Sequence, residues 1–549
     1  MKIKETYEKG IIIKDKKTRI KIALIYPNAY QLGMANLGFQ SVYRIFSNVE
    51  NVVCERAFFD IEILKKEKKI VTKETGYALK EFDIIAFSIS FENDYINVLK
   101  ILKNAGMLLE SKSRLLPPLV IAGGAACIIN PEPIASFIDL FLIGEAESSI
   151  PLFFKYYDEN ESKNILLKNI ADNVPSAYVP AFYEESSAFY DTETRVKRAF
   201  INTPELSSTV VYTPNTIFEN TYLIEIGRGC LNGCRFCSAG YIYRPPRFQP
   251  LSNIKERITE ACQFTNRFGL VGASVSDYPY ISELCAFAID QGIKLSFSSF
   301  RADGINKEIL EVLKQSGIKT ATIAPDAGSE RMRKIINKKL KEDDILNAVE
   351  NIITSDIPNI KLYFMIGLPY EDISDIYALI DLVKKIKENF LISSRPKKRI
   401  GNITVSINPF IPKPFTPFQW IAMDSQSQLK IKINIIRKNL NKIPNVTLNF
   451  ESLKMANIQA LLSRGDRNTG KAMLLSIEKD INISSALKQM EINPEFYVTR
   501  NRNIDETLPW DFIDHGINKS FLAEELKAAK DGRETHKCII NSCKRCGIC

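Results

Sequence analysis

Seven of the eleven cysteines in this chain fall into two tight groups, Cys230, Cys234, Cys237 and Cys538, Cys543, Cys546, Cys549. Thiols spaced this closely, in a chain with no export-type leader, suit metal ligation better than disulfides. Only two histidines are present, His515 and His536, so imidazole is a minor resource. A thiolate-rich, histidine-poor chain points to iron–sulfur chemistry. In the first group, Gly227-Arg-Gly-Cys230-Leu-Asn-Gly-Cys234-Arg-Phe236-Cys237, three thiolates on one short loop match three irons of a four-iron cluster. The fourth iron is then open to a substrate or cofactor, as catalytic metal sites keep one position free. A zinc loop with a distant fourth ligand is the competing reading, and this spacing is unusual for zinc.

The second group, Cys538-x4-Cys543-x2-Cys546-x2-Cys549, places four soft ligands within twelve residues. That suffices for a complete cluster or for a zinc ion, with His536 as a substitute ligand. Its Cys-x2-Cys-x2-Cys core resembles half of a bacterial ferredoxin, and a fully ligated cluster passes electrons or fixes structure. A zinc knuckle would instead suggest RNA contact. The remaining cysteines, Cys54, Cys127, Cys262 and Cys285, sit in apolar contexts and read as buried structural thiols.

The elements that must position these groups are α/β through most of the length. At 549 residues, about two to four domains are expected. Hydrophobic residues make up 45% and charged residues 25%, a globular balance that excludes a disordered chain. No apolar run approaches the roughly 18 residues needed to cross a bilayer. The charged stretch from Met1 to Lys17 lacks a signal-peptide core, so a cytoplasmic protein without membrane partners is expected. Net charge is +9, which permits an anionic partner without demanding one. Residues 1–165 alternate strands (Ile20–Pro27, Phe82–Ser90, Pro118–Ala126, Asp139–Gly144) with helices, predicting an open parallel sheet. Residues 166–220 lose that alternation and read as a β-rich connector with turns at Pro175, Pro180 and Pro214. Residues 221–425 restore it in six βα units, strands near 222–226, 270–275, 294–300, 319–324, 361–366 and 402–408. Six such units suggest a whole or partial TIM-type barrel with its site at the carboxyl strand ends. Residues 426–549 read as a mainly helical C-terminal domain ending in the Cys-rich tail.

The Cys-x3-Cys-x2-Cys loop, with aromatic Phe236 before its last cysteine, resembles the radical SAM signature. The resemblance implies that Cys230, Cys234 and Cys237 hold a [4Fe-4S] cluster and that S-adenosylmethionine (SAM) chelates the open iron. One electron then cleaves SAM to methionine and a 5′-deoxyadenosyl radical, chemistry carried by the cofactors and oriented by the protein. It further places SAM contacts on the loops after successive strands: Ser274 and Asp277, Ser298 and Arg301, Gly328, then Ile366 and Gly367. An arginine fork such as Arg301 matches a carboxylate. The glutamate of the family's Gly-Gly-Glu-type motif is absent after the second strand.

In the first 165 residues the strand-end loops carry Tyr30, Ser88, Ser90, Gly123, Gly124, Gly144 and Glu145. Ligands of open parallel sheets bind at such ends, at a switch point. With Pro131-Glu-Pro133 between them, these loops resemble the cobalamin-binding domain that precedes the barrel in one branch of radical SAM proteins. The resemblance implies cobalamin held by those seven residues, with no protein imidazole below cobalt. Segments Ile407–Trp420, Ser463–Arg467 and Leu508–Asp514 also look like that B12-binding-domain group, whose substrate is unassigned. The function implied is a cobalamin-dependent methyltransferase, the methyl passing from cobalt to a substrate radical on an unactivated carbon. An electron donor such as ferredoxin or flavodoxin is implied as partner. Two alternatives stay open: an RNA- or ribosomal-protein-modifying enzyme, sulfur insertion included, with the first domain as scaffold, or a non-enzymatic iron–sulfur sensor of nucleic acid. Basic residues Arg244, Arg247, Arg464, Arg467 and Arg395–Arg399 are too few to establish a nucleic-acid site and read as solvated charge.

Overall fold

A computed structural model describes residues 7–14, 20–65, 68–183, 195–540 and 542–548. It divides into two compact units, each discontinuous in sequence. The first comprises Met1–Asn220, Leu461–Tyr497 and Asp505–Gly516; the second comprises Thr221–Ala460, Val498–Ile504 and Ile517–Cys549. Residues 426–549 are thus shared between the two units. Among the described residues no helix is long and apolar enough to cross a membrane.

The first unit is built on one sheet of β1 (Ile20–Tyr26), β2 (Val52–Phe58), β3 (Ile84–Ser88), β4 (Leu119–Gly123), β5 (Leu140–Leu142) and β6 (Ala177–Tyr178). Their order is β2-β1-β3-β4-β5-β6, all parallel except the β5–β6 pair. Strands β1, β3 and β4 are nearly unbroken apolar runs, as sheets covered on both faces require. Helix Leu37–Asn48, capped by the Asn36 side chain on the Phe39 amide at 2.9 Å, contributes Phe39, Tyr43 and Phe46 to the core. Strand β2 is an addition to the sequence reading. Its Glu55 and Arg56 break the apolar run, yet both are buried with partners distant in sequence. Arg56 pairs with Glu8 at 2.7 Å and Glu74 at 2.6 Å, while Glu55 accepts from Thr72 and Thr75 at 2.6 Å each. Between 166 and 220 the described residues carry most of helix Lys163–Asn173 and only two-residue strands.

Two segments distant in sequence complete this unit. Asn130 donates to the carbonyls of Ser463 at 3.1 Å and Gly465 at 2.8 Å. Arg467 donates to Glu132 at 3.1 Å and to the Tyr178 hydroxyl at 2.9 Å. A side chain at Gly470 would meet the Pro133 carbonyl at 2.6 Å, so only glycine lets that helix close. The Phe512 ring lies 4.6 Å from that of Tyr178, and Ile513 pairs with Val196. His515 is buried on the Ile128 carbonyl at 3.0 Å. Burial, and then the nearby Arg198 charge, push its pKa down to about 3. The unfolded chain titrates near 6.5, so it binds the extra proton as pH falls, and stability is present above about pH 6.5 and lost toward pH 3. The expected slope is up to about 1.4 kcal/mol per pH unit. Denaturant titrations of wild type and His515→Phe between about pH 6.5 and 4.5 check this: the variant's curve should be flatter, and equal slopes refute it.

The second unit carries seven parallel strands: β7 (Tyr222–Glu225), β8 (Arg267–Val271), β9 (Lys294–Phe297), β10 (Thr320–Asp326), β11 (Asn359–Ile366), β12 (Ile403–Pro409) and β13 (Val446–Phe450). β7, β8 and β9 form one ladder and β10 to β13 another, with a parallel bridge from Phe300 to Ile323 between them. Helices follow the strands, the longest being Ile373–Ser394, opened by an Asp372–Asp375 capping box. This is a partial barrel of βα units. The seventh strand, β13, escapes the sequence pattern because its Thr447 and Asn449 are exposed. Segment Ile407–Trp420 belongs to this core, with the Phe410 and Phe418 rings 5.8 Å apart and Trp420 buried.

Candidate functional site: the cysteine loop and the strand ends around it

The first cysteine group follows β7, where barrel chemistry is placed. Residues Gly227–Arg228 pair antiparallel with Arg247–Phe248 and hold the base of the loop. Gly229 takes φ +84°, and a Cβ there would meet the Tyr243 carbonyl at 2.7 Å. The turn then closes through Cys237 N–H to the Cys234 carbonyl at 3.1 Å and Gly240 N–H to the Cys237 carbonyl at 3.2 Å. Phe236 is half-buried, as are the three cysteines. Arg235, between two of the cysteines, is the anchor. Its fully buried guanidinium donates to Ile335 O at 2.7 Å, Lys334 O at 3.2 Å, Arg533 O at 2.7 Å and Glu525 at 3.1 Å. Asn337 adds a hydrogen bond to the Gly233 carbonyl at 3.2 Å. Neither residue carries a signal in the sequence, since their partners lie about a hundred or more positions away.

Cationic groups surround the loop. Lys338 and Asp326 form a buried pair at 2.5 Å beside Cys234, and Lys339 reaches the Asn232 carbonyl at 3.4 Å. Asp326, Asn337 and Lys339 all take positive φ, +64°, +57° and +56°, a cost that the surrounding contacts impose. Burial and the neighbouring thiols push Cys237 up to about 12, and burial raises Cys234 as well. Thiols held this way ionise when a cationic metal core offsets their charge, which is the donor chemistry of an iron–sulfur cluster.

The adjoining loops meet the SAM expectation unevenly. Ser274 and Asp277 flank the short turn after β8, and Asp277 accepts from Asn232, the residue two after Cys230. Buried, unpartnered polar atoms converge here: Ser274 Oγ, Ser276 Oγ, Asn232 Oδ1 and Arg301 Nη1. Arg301 is held by Asp303 at 3.0 Å and by the Lys338 carbonyl at 3.0 Å, leaving Nη1 for a ligand. Gly304 lets this loop approach, since a Cβ there would meet Ser276 at 2.7 Å. Three thiols on one loop, ringed by orphaned donors and acceptors, fit a cluster with bound SAM. Ser298 lies past the end of β9 and is exposed. Gly328 faces helix Ile373–Ser394 instead, with its missing Cβ position 2.2 Å from the Leu379 Cα. Ile366 is buried at the end of β11, and the Gly367 N–H donates to Glu371 at 2.7 Å. Glu371 in turn pairs with Lys432 at 2.6 Å, a buried contact invisible to local pattern.

In the first unit, Ser88, Gly123, Gly124 and Gly144 line one apolar cavity with Leu24, Phe46 and Ile150. Two of these glycines also let other parts of the chain approach closely. A Cβ at Gly124 would meet the Ile89 carbonyl at 2.5 Å, and one at Gly144 would meet Ala199 at 2.4 Å. Ser90 accepts from Asn36 at 3.0 Å. Tyr30 donates to Glu8 and packs edge-on against Phe58, while Glu145 accepts from the Ile201 amide at 2.9 Å. These three lie outside the cavity lining. Asn28 and Asp94, at the ends of β1 and β3, were not singled out by sequence. They hydrogen-bond at 2.8 Å, and burial lifts the Asp94 carboxyl to about 6.

The tail contributes Cys538 and Cys543, half-buried, and Cys546, buried; Cys549 lies outside the described residues. Among the described residues no three His, Cys, Asp or Glu side chains are arranged to hold a single metal ion. Cys262, expected to be buried, is exposed, because it caps the outer end of helix Leu251–Ala261. Arg244, Arg464 and Arg467 are buried, not solvated, and Arg467 pairs with Glu132 at 3.1 Å; Arg395–Arg399 are exposed.

Comparison with known proteins agrees with this geometry. Residues 38–180 match the family described as Radical SAM proteins, N-terminal, and residues 224–383 match the Radical SAM superfamily. The chain is 33% identical over 473 residues to the uncharacterized protein MJ0966 of Methanocaldococcus jannaschii, spanning 85% of this chain and 94% of that one. It is 28% identical over 195 residues to the ribosomal protein uS12 methylthiotransferase RimO of Clostridioides difficile, covering 32% of this chain and 43% of that protein. Among solved structures it is similar to the radical S-adenosylmethionine methyltransferase TsrM from Kitasatospora setae, at 11% identity and a TM-score of 0.47, over 73% of this chain and 74% of that one. With its cysteine loop at the mouth of a partial barrel and its likeness to MJ0966 along nearly that protein's whole length, the chain belongs to the same family of radical SAM enzymes.

Proposed function

We propose that this radical SAM enzyme transfers a methyl group to an unactivated carbon, with cobalamin bound in its first unit. The observation that supports the reading is the cavity of Ser88, Gly123, Gly124 and Gly144 at the carboxyl ends of β3 to β5. The strand order reverses between β1 and β3, the switch point at which sheets of this topology bind cofactors. Its lining is apolar, with Ser88 and Ser149 as polar groups, which suits a flat heteroaromatic ring. When bound, cobalamin supplies a cobalt that relays the methyl group. Cys230, Cys234 and Cys237 hold the cluster, Arg301 and the Ser274–Asp277 turn orient SAM, and Lys338 with Asp326 fixes the charge beside Cys234. The test is protein purified without oxygen from cobalamin-fed cells, then assayed with methyl-deuterated SAM. About one cobalt per chain and label in the product are expected. Deoxyadenosine formed with a bound substrate but without label transfer would sink the reading.

A second reading has specific support in the match to RimO and to tRNA-2-methylthio-N(6)-dimethylallyladenosine synthases, one of them, from Chloroherpeton thalassium, 20% identical over 448 residues. Here the enzyme inserts sulfur into RNA or a ribosomal protein. Sulfide lost from the tail on turnover favours it; an intact tail centre argues against it.

A further inference from the structure

The tail cysteines fold back onto the loop of the first group. The Cys538 N–H donates to the Leu231 carbonyl at 2.8 Å, one residue from Cys230. Arg244, on the strand side of the same loop, hydrogen-bonds Cys546 and lies over the rings of Tyr241 at 4.7 Å and Phe521 at 5.3 Å. One carboxylate ties both groups together. Glu525 accepts from Arg235, between Cys234 and Cys237, at 3.1 Å, and from Arg545, beside Cys546, at 2.8 Å.

We propose that Cys538, Cys543 and Cys546 hold a second iron–sulfur centre seated on the loop of the first, through which the electron for SAM cleavage arrives from an acidic one-electron carrier protein. The inference rests on the radical SAM assignment and not on the cobalamin reading. Three thiols from one short segment supply the ligands, and Arg244 and Arg545 offset the negative charge that a reduced centre gains. One backbone hydrogen bond joins Cys538 to Leu231, the neighbour of Cys230, a short path for an electron. The tail also presents exposed side chains. Ile539 is 62% exposed and Ile540 37%, with Lys544 exposed beside them, an apolar patch with a cationic rim that fits an acidic partner. One electron from a reduced low-potential flavin or iron–sulfur protein enters the tail centre, and one leaves it for the first cluster. That electron breaks the sulfur–C5′ bond of SAM, giving methionine and the 5′-deoxyadenosyl radical. The tail centre returns to its starting state.

The experiment uses the full, untagged chain purified without oxygen, beside Cys543→Ser. Wild type is expected to carry about eight irons and, after dithionite, two electron paramagnetic resonance signals, one of them shifted by SAM. The variant should retain about four irons and only the SAM-sensitive signal. Its deoxyadenosine formation should fall about tenfold further with reduced flavodoxin than with dithionite. A single signal in wild type, zinc in place of the second set of irons, or equal losses with both reductants would overturn the proposal. The wild-type spectrum decides even where the variant folds poorly. Absence of any SAM-sensitive signal would overturn the radical SAM assignment, and this inference with it.

Discussion

Cys234→Ser is expected to lower SAM cleavage by more than ~100-fold while leaving the fold intact. Groups that merely support metal ligands already cost ~10–100-fold in affinity or activity when lost, so removal of a ligand exceeds that range. The loop should keep its shape, because its anchors are the Arg235 guanidinium and the Asn337 amide on backbone carbonyls rather than the thiols. The substitution also leaves Lys338, Arg301 and Lys339 facing a neutral hydroxyl where they now face Cys234, which further disfavours assembly of the site. The measurements are deoxyadenosine formation, iron content and thermal unfolding. About four irons should be lost with an unchanged melting temperature. Activity within ~10-fold of wild type would remove Cys234 from the ligand set.

Arg235→Ala should have the opposite profile, with the fold paying first. The side chain is completely buried and makes four hydrogen bonds, three to backbone carbonyls and one to the buried Glu525. Its loss leaves Glu525 buried with the half-exposed Arg545 as its other ion-pair partner and the Thr535 hydroxyl at 2.9 Å, and breaking one side of such a pair costs about 3–5 kcal/mol. For a unit of this size that lowers the melting temperature by roughly 10 °C. Arg235→Lys should recover little, since an ammonium cannot reach four acceptors arranged for a planar fork. The exposed Arg267→Ala serves as the comparison and should stay within about 0.5 kcal/mol. A shift no larger for Arg235→Ala than for Arg267→Ala would show that the anchor is dispensable.

These two neighbours in sequence divide what was legible from what was not. Cys230, Cys234 and Cys237 announce themselves, because metal ligation needs a rare residue type at a fixed local spacing. The parallel strands are equally plain, because a strand covered on both faces must be apolar along its whole run, as in Ile84–Ser88 and Leu119–Gly123. Arg235 looks like any polar loop residue, since its meaning lies in Glu525 and Arg533, far along the chain. Strand Val52–Phe58 was hidden for the same reason: Glu55 and Arg56 read as solvent-facing until Glu8, Glu74, Thr72 and Thr75 arrive to satisfy them. The paired glycines at 123–124 and Gly144 were visible as special backbone, but local pattern could not say what approaches them, and it is the chain's own Leu142, Ile89 and Ala199. Nor could it say that residues 461–497 and 505–516 return to the first unit, where Arg467, Gly470 and Phe512 meet Glu132, Pro133 and Tyr178. The amino-acid sequence alone determined the chemistry, because thiol spacing and apolar periodicity are local properties. The tertiary structure decided which charges are buried, which loops close on one another and where the tail docks, because a buried polar group is stable only beside a partner that the chain brings from elsewhere.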